Sequence, residues 1–354
     1  MLFANCKEFG GNFHHEVKAS LHGAVKVDIA TGYVSEDVLR EFQQPLADIC
    51  KSRGMVRLLV GMAFYEGIQA RPLQQLHKIQ SVIGAVGNGS GVYVATERKF
   101  HGKIYQITDA KRKFRTYVGS SNFSRSGLSG NLECTVRLQQ HGYQNQIHSY
   151  LDFLLRPENA VVITKAEIIA RGSEEYKKRI SIESLNDLRR CDPHKIKINS
   201  THGFKYSLRR IAASEKSGLN AYFGKGRLSR KTGFVKPRPW YEVELIAPSS
   251  VNQGRYYPKG EFVAYTDDGF VIPMQTSGDN FKNIRSKHKL EMLGEWIKGK
   301  LQSYGALEPL EPVTEETFER YGNDTIEFYR LRDKEYFIKF LPNTNGSIKR
   351  SNEA

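Results

Sequence analysis

HGKIYQITDAKRKFRTYVGSSNFSRSGLSGNLECT (101–135) contains two β-branched, apolar runs, HGKIYQITD and FRTYVGSSNF, joined by a basic turn, AKRKFR (110–115). A third strand-like run, NLECTVRLQ, follows. Side chains two apart on a strand project from one face, so this spacing sets the imidazole of His101 beside the ammonium of Lys103. The second run ends in GSSN (119–122), a turn whose side chains and backbone N–H groups can point at an anion. Glu133 comes shortly after. Cleaving a phosphodiester needs a nucleophile or base, plus cations and donors that hold the phosphate oxygens as charge redistributes. His101 can supply the first, and Lys103, Ser120 and Asn122 the second.

Upstream, AVKVDIATGYV (24–34) and VRLLVGMAF (56–64) alternate with helical patterns in SEDVLREFQQPLADICKSRG and RPLQQLHKIQSVIGAVG. With GVYVATERKF before the quoted stretch and the helical run YQNQIHSYLDFLL after it, this is the rhythm of an α/β domain, a mixed sheet flanked by helices. Ser35 is placed to cap the first of these helices and Gly54 to stop it. Residues 156–194 change character, and their charged helical stretch predicts a connector between a domain at 1–155 and another at 195–354. From Lys195 the runs KIKINS, FKYSLRRIA, YEVELIA, GEFVAYTDDG, FVIPMQT, TIEFYRLRD and EYFIKFLP are split by Gly, Pro and Asn turns. With one helical insert at 289–301, they predict a mainly β barrel or sandwich.

The chain of 354 residues carries a formal charge of +15, which makes a polyanion the first partner to consider. The excess is concentrated: residues 51–150 hold 14 Lys/Arg against 4 Asp/Glu, and residues 195–300 hold 20 against 9. Two surfaces meeting nucleic acid are the expectation. Cys6, Cys50, Cys134 and Cys191 lie far apart with no zinc-type spacing, which argues against structural zinc and a disulfide scaffold. Without a signal-like N-terminus or a membrane-length apolar run, the expected compartment is the cytoplasm and no membrane is expected as partner.

His-x-Lys, then Gly-Ser-x-Asn, then a later Glu resembles the phospholipase D superfamily. The resemblance implies His101 as the nucleophile that forms a phosphohistidine, Lys103 and Asn122 as phosphate ligands, Ser120 as a supporting donor and Glu133 as a carboxylate that orients a His. It implies no metal. One departure stands out: the superfamily has Asp five residues after the Lys, where this chain has Thr108, and no role is assigned to Asp109. The mechanism needs two His, one to attack and one to protonate the leaving oxygen, yet the chain holds a single copy of the motif. Two subunits sharing one site follow, in a homodimer formed through the N-terminal domains.

In the second half, GKGRLSRKTGFVKPR (224–238) interleaves Lys225, Arg227, Arg230, Lys231, Lys236 and Arg238 with Gly and aromatic residues, the composition of an extended arm. Asn280, Lys282, Asn283 and Arg285 fall in a predicted loop before a helix, and Asn and Arg are the types that read adenine and guanine edges. These segments resemble restriction endonucleases of the BfiI and NgoFVII type, in which a phospholipase D-like nuclease is joined to a pseudobarrel similar to plant transcription-factor DNA-binding domains. The resemblance implies double-stranded DNA as substrate and a companion DNA methyltransferase. Some members also work with a separate helicase-like ATPase. This chain has no P-loop, so ATP would enter only through such a subunit. Two alternatives remain at this stage: a phospholipase D-type lipid phosphodiesterase, and a catalytically silent DNA-binding protein.

Overall fold

The computed structural model describes residues 1–9, 11–182, 184–212 and 218–342. The chain forms two compact units, one of residues 1–176 and 225–237, the other of residues 177–224 and 238–354. The end of the domain expected at 195–354, from 343 onward, lies outside the described residues.

The first unit is built on one eight-stranded mixed sheet. Its strands are β1 (Leu2–Phe3), β2 (Ala24–Thr31), β3 (Met55–Val60), β4 (Gly91–Ala95), β5 (Ile104–Asp109), β6 (Phe114–Gly119), β7 (Thr135–Leu138) and β8 (Ala160–Val162). They lie in the order β1-β7-β6-β5-β2-β3-β4-β8. The β2–β3 and β3–β4 pairs are parallel and the others antiparallel. The parallel connections carry α2 (Glu36–Lys51) and α4 (Ala70–Ile83); α1 (Phe13–Ser20) precedes β2, the short α3 (Ala63–Glu66) follows β3, and α5 (His141–Leu154) follows β7. Phe13 of α1 packs against Phe3, Tyr105 and Tyr117, and Phe42 of α2 against Phe123. On the other sheet face α5 covers a core containing Ala30, Leu59, Ala95, Phe100 and Ile104.

Ser35 occupies the N-cap position of α2, but its hydroxyl makes no cap bond. It instead donates to Asp37 and accepts from the Arg125 backbone N–H. The expected connector at 156–194 is not one element. Ala160–Val162 is the edge strand β8, the first unit continues to residue 176, and the long helical stretch reduces to Glu174–Ile180. Gly172, at φ +80°, stands at the break before that helix.

The second unit has a seven-stranded sheet that curls into a half-barrel. Its strands are β9 (Gly203–Ser207), β12 (Leu245–Ile246), β13 (Glu261–Thr266), β14 (Val271–Ser277), β15 (Asn283–Ser286), β16 (Thr325–Arg332) and β17 (Glu335–Lys339). KIKINS, expected as a strand, forms none. Alternation in β13 and β14, with Phe262, Ala264, Ile272 and Met274 buried, gives the sheet one inner face, and the helix Glu291–Ser303 packs beside β15. Two short strands, β10 (Arg227–Leu228) and β11 (Val235–Lys236), form a hairpin that belongs to the first unit. Its contacts there are specific: Lys225 pairs with Glu97 at 3.6 Å, Lys236 with Glu167 at 2.6 Å, and the Gly226 N–H donates to the Thr96 carbonyl.

Candidate active site

Strand pairing assembles the site. β5 begins at Ile104, opposite Val118 near the end of β6, so the Gly119 N–H donates to the Lys103 carbonyl. Gly119 is paired in turn with Thr135 at the start of β7, and Ala30 near the end of β2 with Ile104. The ends of β2 and β6 and the starts of β5 and β7 thus meet at one edge of the sheet. There they gather Gly32, His101, Lys103, Ser120, Asn122 and Glu133.

His101 and Lys103 do not lie on a strand, as the sequence suggested, but in the extended segment that enters β5. They converge all the same, with Lys103 Nζ 3.2 Å from Nδ1 and 3.3 Å from Nε2 of His101. The ammonium also donates to the His101 carbonyl. Lys103 is buried at 7% exposure while His101 opens to solvent. Burial first, and the Lys103 charge second, hold the imidazole below its ordinary pKa; the Glu66 carboxylate opposes them and Lys99 assists. Burial likewise pushes Lys103 down, with Glu133 opposing. The imidazole is thereby favoured in its neutral, nucleophilic form.

Asn122 is fixed through its side-chain oxygen, which accepts from the Tyr33 N–H at 3.1 Å and the Thr31 hydroxyl at 3.2 Å. Its amide N–H₂ is left as the group able to donate to a ligand. Gly32 lies between these parts: a Cβ there would sit 3.0 Å from the His101 ring and 3.5 Å from Asn122 Oδ1. Ser120 Oγ donates to the Glu133 carboxylate and accepts from the Cys134 N–H. Glu133 is thus held by Ser120, with no bond to the His101 of its own chain among the described hydrogen bonds. Asp109 sits at the other end of β5, six residues of strand or roughly 20 Å away. There its side chain accepts from the Lys111 and Lys113 N–H groups and shapes the β5–β6 turn.

Three neighbours of the site went unread in the sequence. The Tyr33 ring meets His101 edge-on, with centroids 5.6 Å apart, and its hydroxyl donates to Glu66 at 2.9 Å. Glu66 also pairs with Lys99 at 3.1 Å and Arg171 at 2.9 Å. Tyr33, Glu66 and Arg171 are far apart in the chain and match no motif, so only the position of Tyr33, just after the end of β2, offered a signal.

The expected DNA-reading residues divide. In the hairpin, Lys225 and Lys236 are tied to carboxylates, whereas Arg230 and Lys231 are exposed at the tip, Ser229–Gly233. Arg227 lies exposed on β10. Arg238 belongs to the second unit and pairs with Glu242 at 2.7 Å. Asn280, at φ +54°, and Lys282 form the turn after β14. Asn283 and Arg285 stand on β15 rather than in a loop: the buried Ile284 and Ser286 alternate with them and turn them outward. Arg285 is opposite Gln275, whose side-chain oxygen, turned toward it, accepts from Nε at 3.0 Å and Nη2 at 3.1 Å. The sequence reading missed Gln275.

This site and fold define a phospholipase D-like nuclease unit joined to a DNA-binding unit. Residues 13–170 match the NgoFVII restriction endonuclease N-terminal PLD domain, and residues 195–332 match the NgoFVII C-terminal B3-like DNA-binding domain. The chain belongs to the NgoFVII family of restriction endonucleases. Among solved structures, NucT from Helicobacter pylori is similar at 17% identity and TM-score 0.33, over 46% of this chain and 97% of that one. Nuc from Salmonella typhimurium, a phospholipase D family member, is similar at 14% identity and TM-score 0.29, over 40% and 84%. A polyphosphate kinase from Porphyromonas gingivalis is similar at 11% identity and TM-score 0.33, over 49% of this chain but a quarter (25%) of that one. No curated protein matches the chain. Among the described residues no helix is long and apolar enough to cross a membrane.

Proposed function

We infer that the protein is a site-specific endonuclease that cuts double-stranded DNA through a phosphohistidine at a centre shared by two subunits. The observation that carries this reading is the buried Lys103 ammonium within 3.3 Å of both ring nitrogens of an open His101. A cation is fixed where a phosphate must sit, beside an imidazole held neutral. The His101 nitrogen attacks phosphorus, a P–N bond forms, and the P–O bond to the leaving strand breaks. An imidazole from the second subunit protonates the leaving oxygen. It then takes a proton from water, whose attack on phosphorus breaks the P–N bond and frees His101. Lys103, with the Asn122 amide, meets the phosphate charge in place of a divalent cation.

The outward Asn283 and Arg285 supply base recognition in this reading, and the hairpin tip supplies phosphate contacts. Such an enzyme acts in the cytoplasm beside a methyltransferase that protects the host sites; a helicase-like ATPase is an optional further partner. The test is cleavage of plasmid DNA by the purified chain in EDTA. Cutting at defined positions is expected, with an acid-labile phosphoprotein trapped at His101 in a rapid quench. The His101→Ala variant should bind its site and leave it intact. A requirement for magnesium, or cutting by His101→Ala, would overturn the mechanism.

A further inference from the structure

A cavity of about 200 Å³ adjoins the nucleophile inside the first unit. It lies just beyond the carboxyl ends of the parallel strands β2 and β3, where α/β sheets commonly take their ligands. Gly32 and Tyr33 line it and also touch the centre: a Cβ on Gly32 would sit 3.0 Å from the His101 ring, and the Tyr33 ring meets that imidazole edge-on. Ile68 and Pro72 give the cavity apolar wall, and Gln69 and Arg171 give it polar groups. Arg171 is held in place, its backbone N–H donating to the Ile68 carbonyl, Nε to the Glu66 carbonyl at 2.9 Å and Nη2 to the Glu66 carboxylate at 2.9 Å. Its Nη1 makes no bond among the described ones. Among the described residues that line the cavity none is acidic, and Glu66 beside it is matched by Lys99 and Arg171.

We propose that this cavity receives the base of a nucleotide flanking the scissile phosphate, drawn out of the duplex, with Gln69 and Arg171 at its hydrogen-bonding edge. The proposal rests on the reading of the chain as a nuclease and adds where a neighbouring base goes. Size argues for the occupant: the cavity is smaller than the roughly 300 to 1,000 Å³ of sites that enclose whole small-molecule ligands, and it has room for one planar ring system but not for a base pair. Chemistry argues the same way. Apolar wall suits the faces of a base, while an amide that both donates and accepts, beside a guanidinium that donates, suits its edge. A free phosphate would leave the apolar wall unused, and an acyl chain would leave Gln69 and Arg171 without partners. Position supplies the link to DNA. With the phosphate held by Lys103 and Asn122, the adjoining sugar and base lie within one nucleotide of His101, and Gly32 and Tyr33 connect the two places. A base bonded to the protein through its edge has left its pair, and seating it fixes the phosphate for attack by the imidazole.

The test uses the full chain and a duplex carrying 2-aminopurine, whose fluorescence rises when it leaves the stack, at either nucleotide flanking the mapped cut. On rapid mixing with wild type in EDTA, one of the two positions should brighten before product appears. Gln69→Trp, at an exposed position, fills the cavity's mouth. It should remove that rise and slow single-turnover cutting of the unmodified duplex by roughly a hundredfold, the order of loss that misplacing a reacting group brings. Deleting the base at the same nucleotide should return cutting by Gln69→Trp to nearly the wild-type rate, which a misfolded variant would not do. Gln69→Ala keeps the room and loses the edge contact, so the probe should still brighten while cutting slows roughly tenfold. A probe that stays dark at both flanks in wild type, or a rise that survives Gln69→Trp, would overturn the base pocket and leave the nuclease reading standing, because wild type would still cut in EDTA. Failure of wild type to cut there would overturn the nuclease reading and the pocket with it.

Discussion

Burial, then the Lys103 ammonium, favour the neutral form of His101, and the Glu66 carboxylate, linked to it through the edge-on Tyr33 ring, pulls the other way. Glu66 itself is pushed up by burial, but Lys99, the Tyr33 hydroxyl and Arg171 bring it below the ordinary carboxylate range, so it is charged wherever the enzyme would work. Replacing it by Gln removes the group that favours imidazolium. The acid limb of kcat/KM in Glu66→Gln should therefore move to lower pH than in wild type, as read from a pH profile of cleavage. An unmoved limb with reduced kcat would make Glu66 a packing residue only. Of this constellation the sequence showed His101, Lys103, Ser120, Asn122 and Glu133, because the motif lies within one hairpin and the strand after it. Tyr33 and Glu66 reach the imidazole only through sheet pairing and α3, which no local spacing reports.

The β10–β11 hairpin divides its labour along its length. At the base, Lys225 and Lys236 are spent on Glu97 and Glu167, and a Cβ on Gly226 would press on Phe64 at 2.6 Å. At the tip, Arg230 and Lys231 carry exposed charge with no such tie among the described ion pairs. Arg230→Ala and Lys231→Ala should each weaken DNA binding evenly across sequences and lower the slope of log affinity against log salt by about 0.9 for each phosphate no longer neutralised. Arg285→Ala should instead relax selectivity at one base pair, by about 1 to 3 kcal/mol. Titrations of cognate and random duplexes at several salt concentrations separate the two, and a selective loss in Arg230→Ala would make the tip a base reader. That the arm is extended was legible in its Gly and Lys content. Its attachment to the nuclease unit was not, since the partners Glu97 and Glu167 stand well over fifty residues away in a chain where any Lys can find an acid.

At the scale of the whole molecule, the strand and helix rhythm of 24–155 and the turn-split strands after 195 were readable because alternation and 3.6-residue periodicity are local. Burial of a charge is not local. In EMLGEWIKGKL a lysine after Trp-Ile looks like the polar stripe of a helix, yet Lys298 is fully buried, donates to the Trp240 carbonyl at 2.6 Å and lies 3.7 Å over the Trp240 ring. Burial lowers its pKa to about 7, with Glu242 opposing. Below about pH 7 folded and unfolded chains both carry this proton, and stability does not depend on it. From there up to the ordinary lysine value of 10.5 the unfolded chain holds a proton that the folded one has lost, so the contribution to stability rises with pH, at most about 1.4 kcal/mol per unit. Lys298→Met keeps much of the side chain's length and removes the titration. Denaturant unfolding of the full chain followed by Trp fluorescence, which reports the second unit because both tryptophans, Trp240 and Trp296, lie in it, should show wild type gaining on Lys298→Met between pH 7 and 10. The comparison cancels the tyrosines, whose raised values act in the opposite sense at alkaline pH. Parallel stability curves for the two proteins would mean that Lys298 stays charged in the core throughout, held by the Trp240 carbonyl and ring.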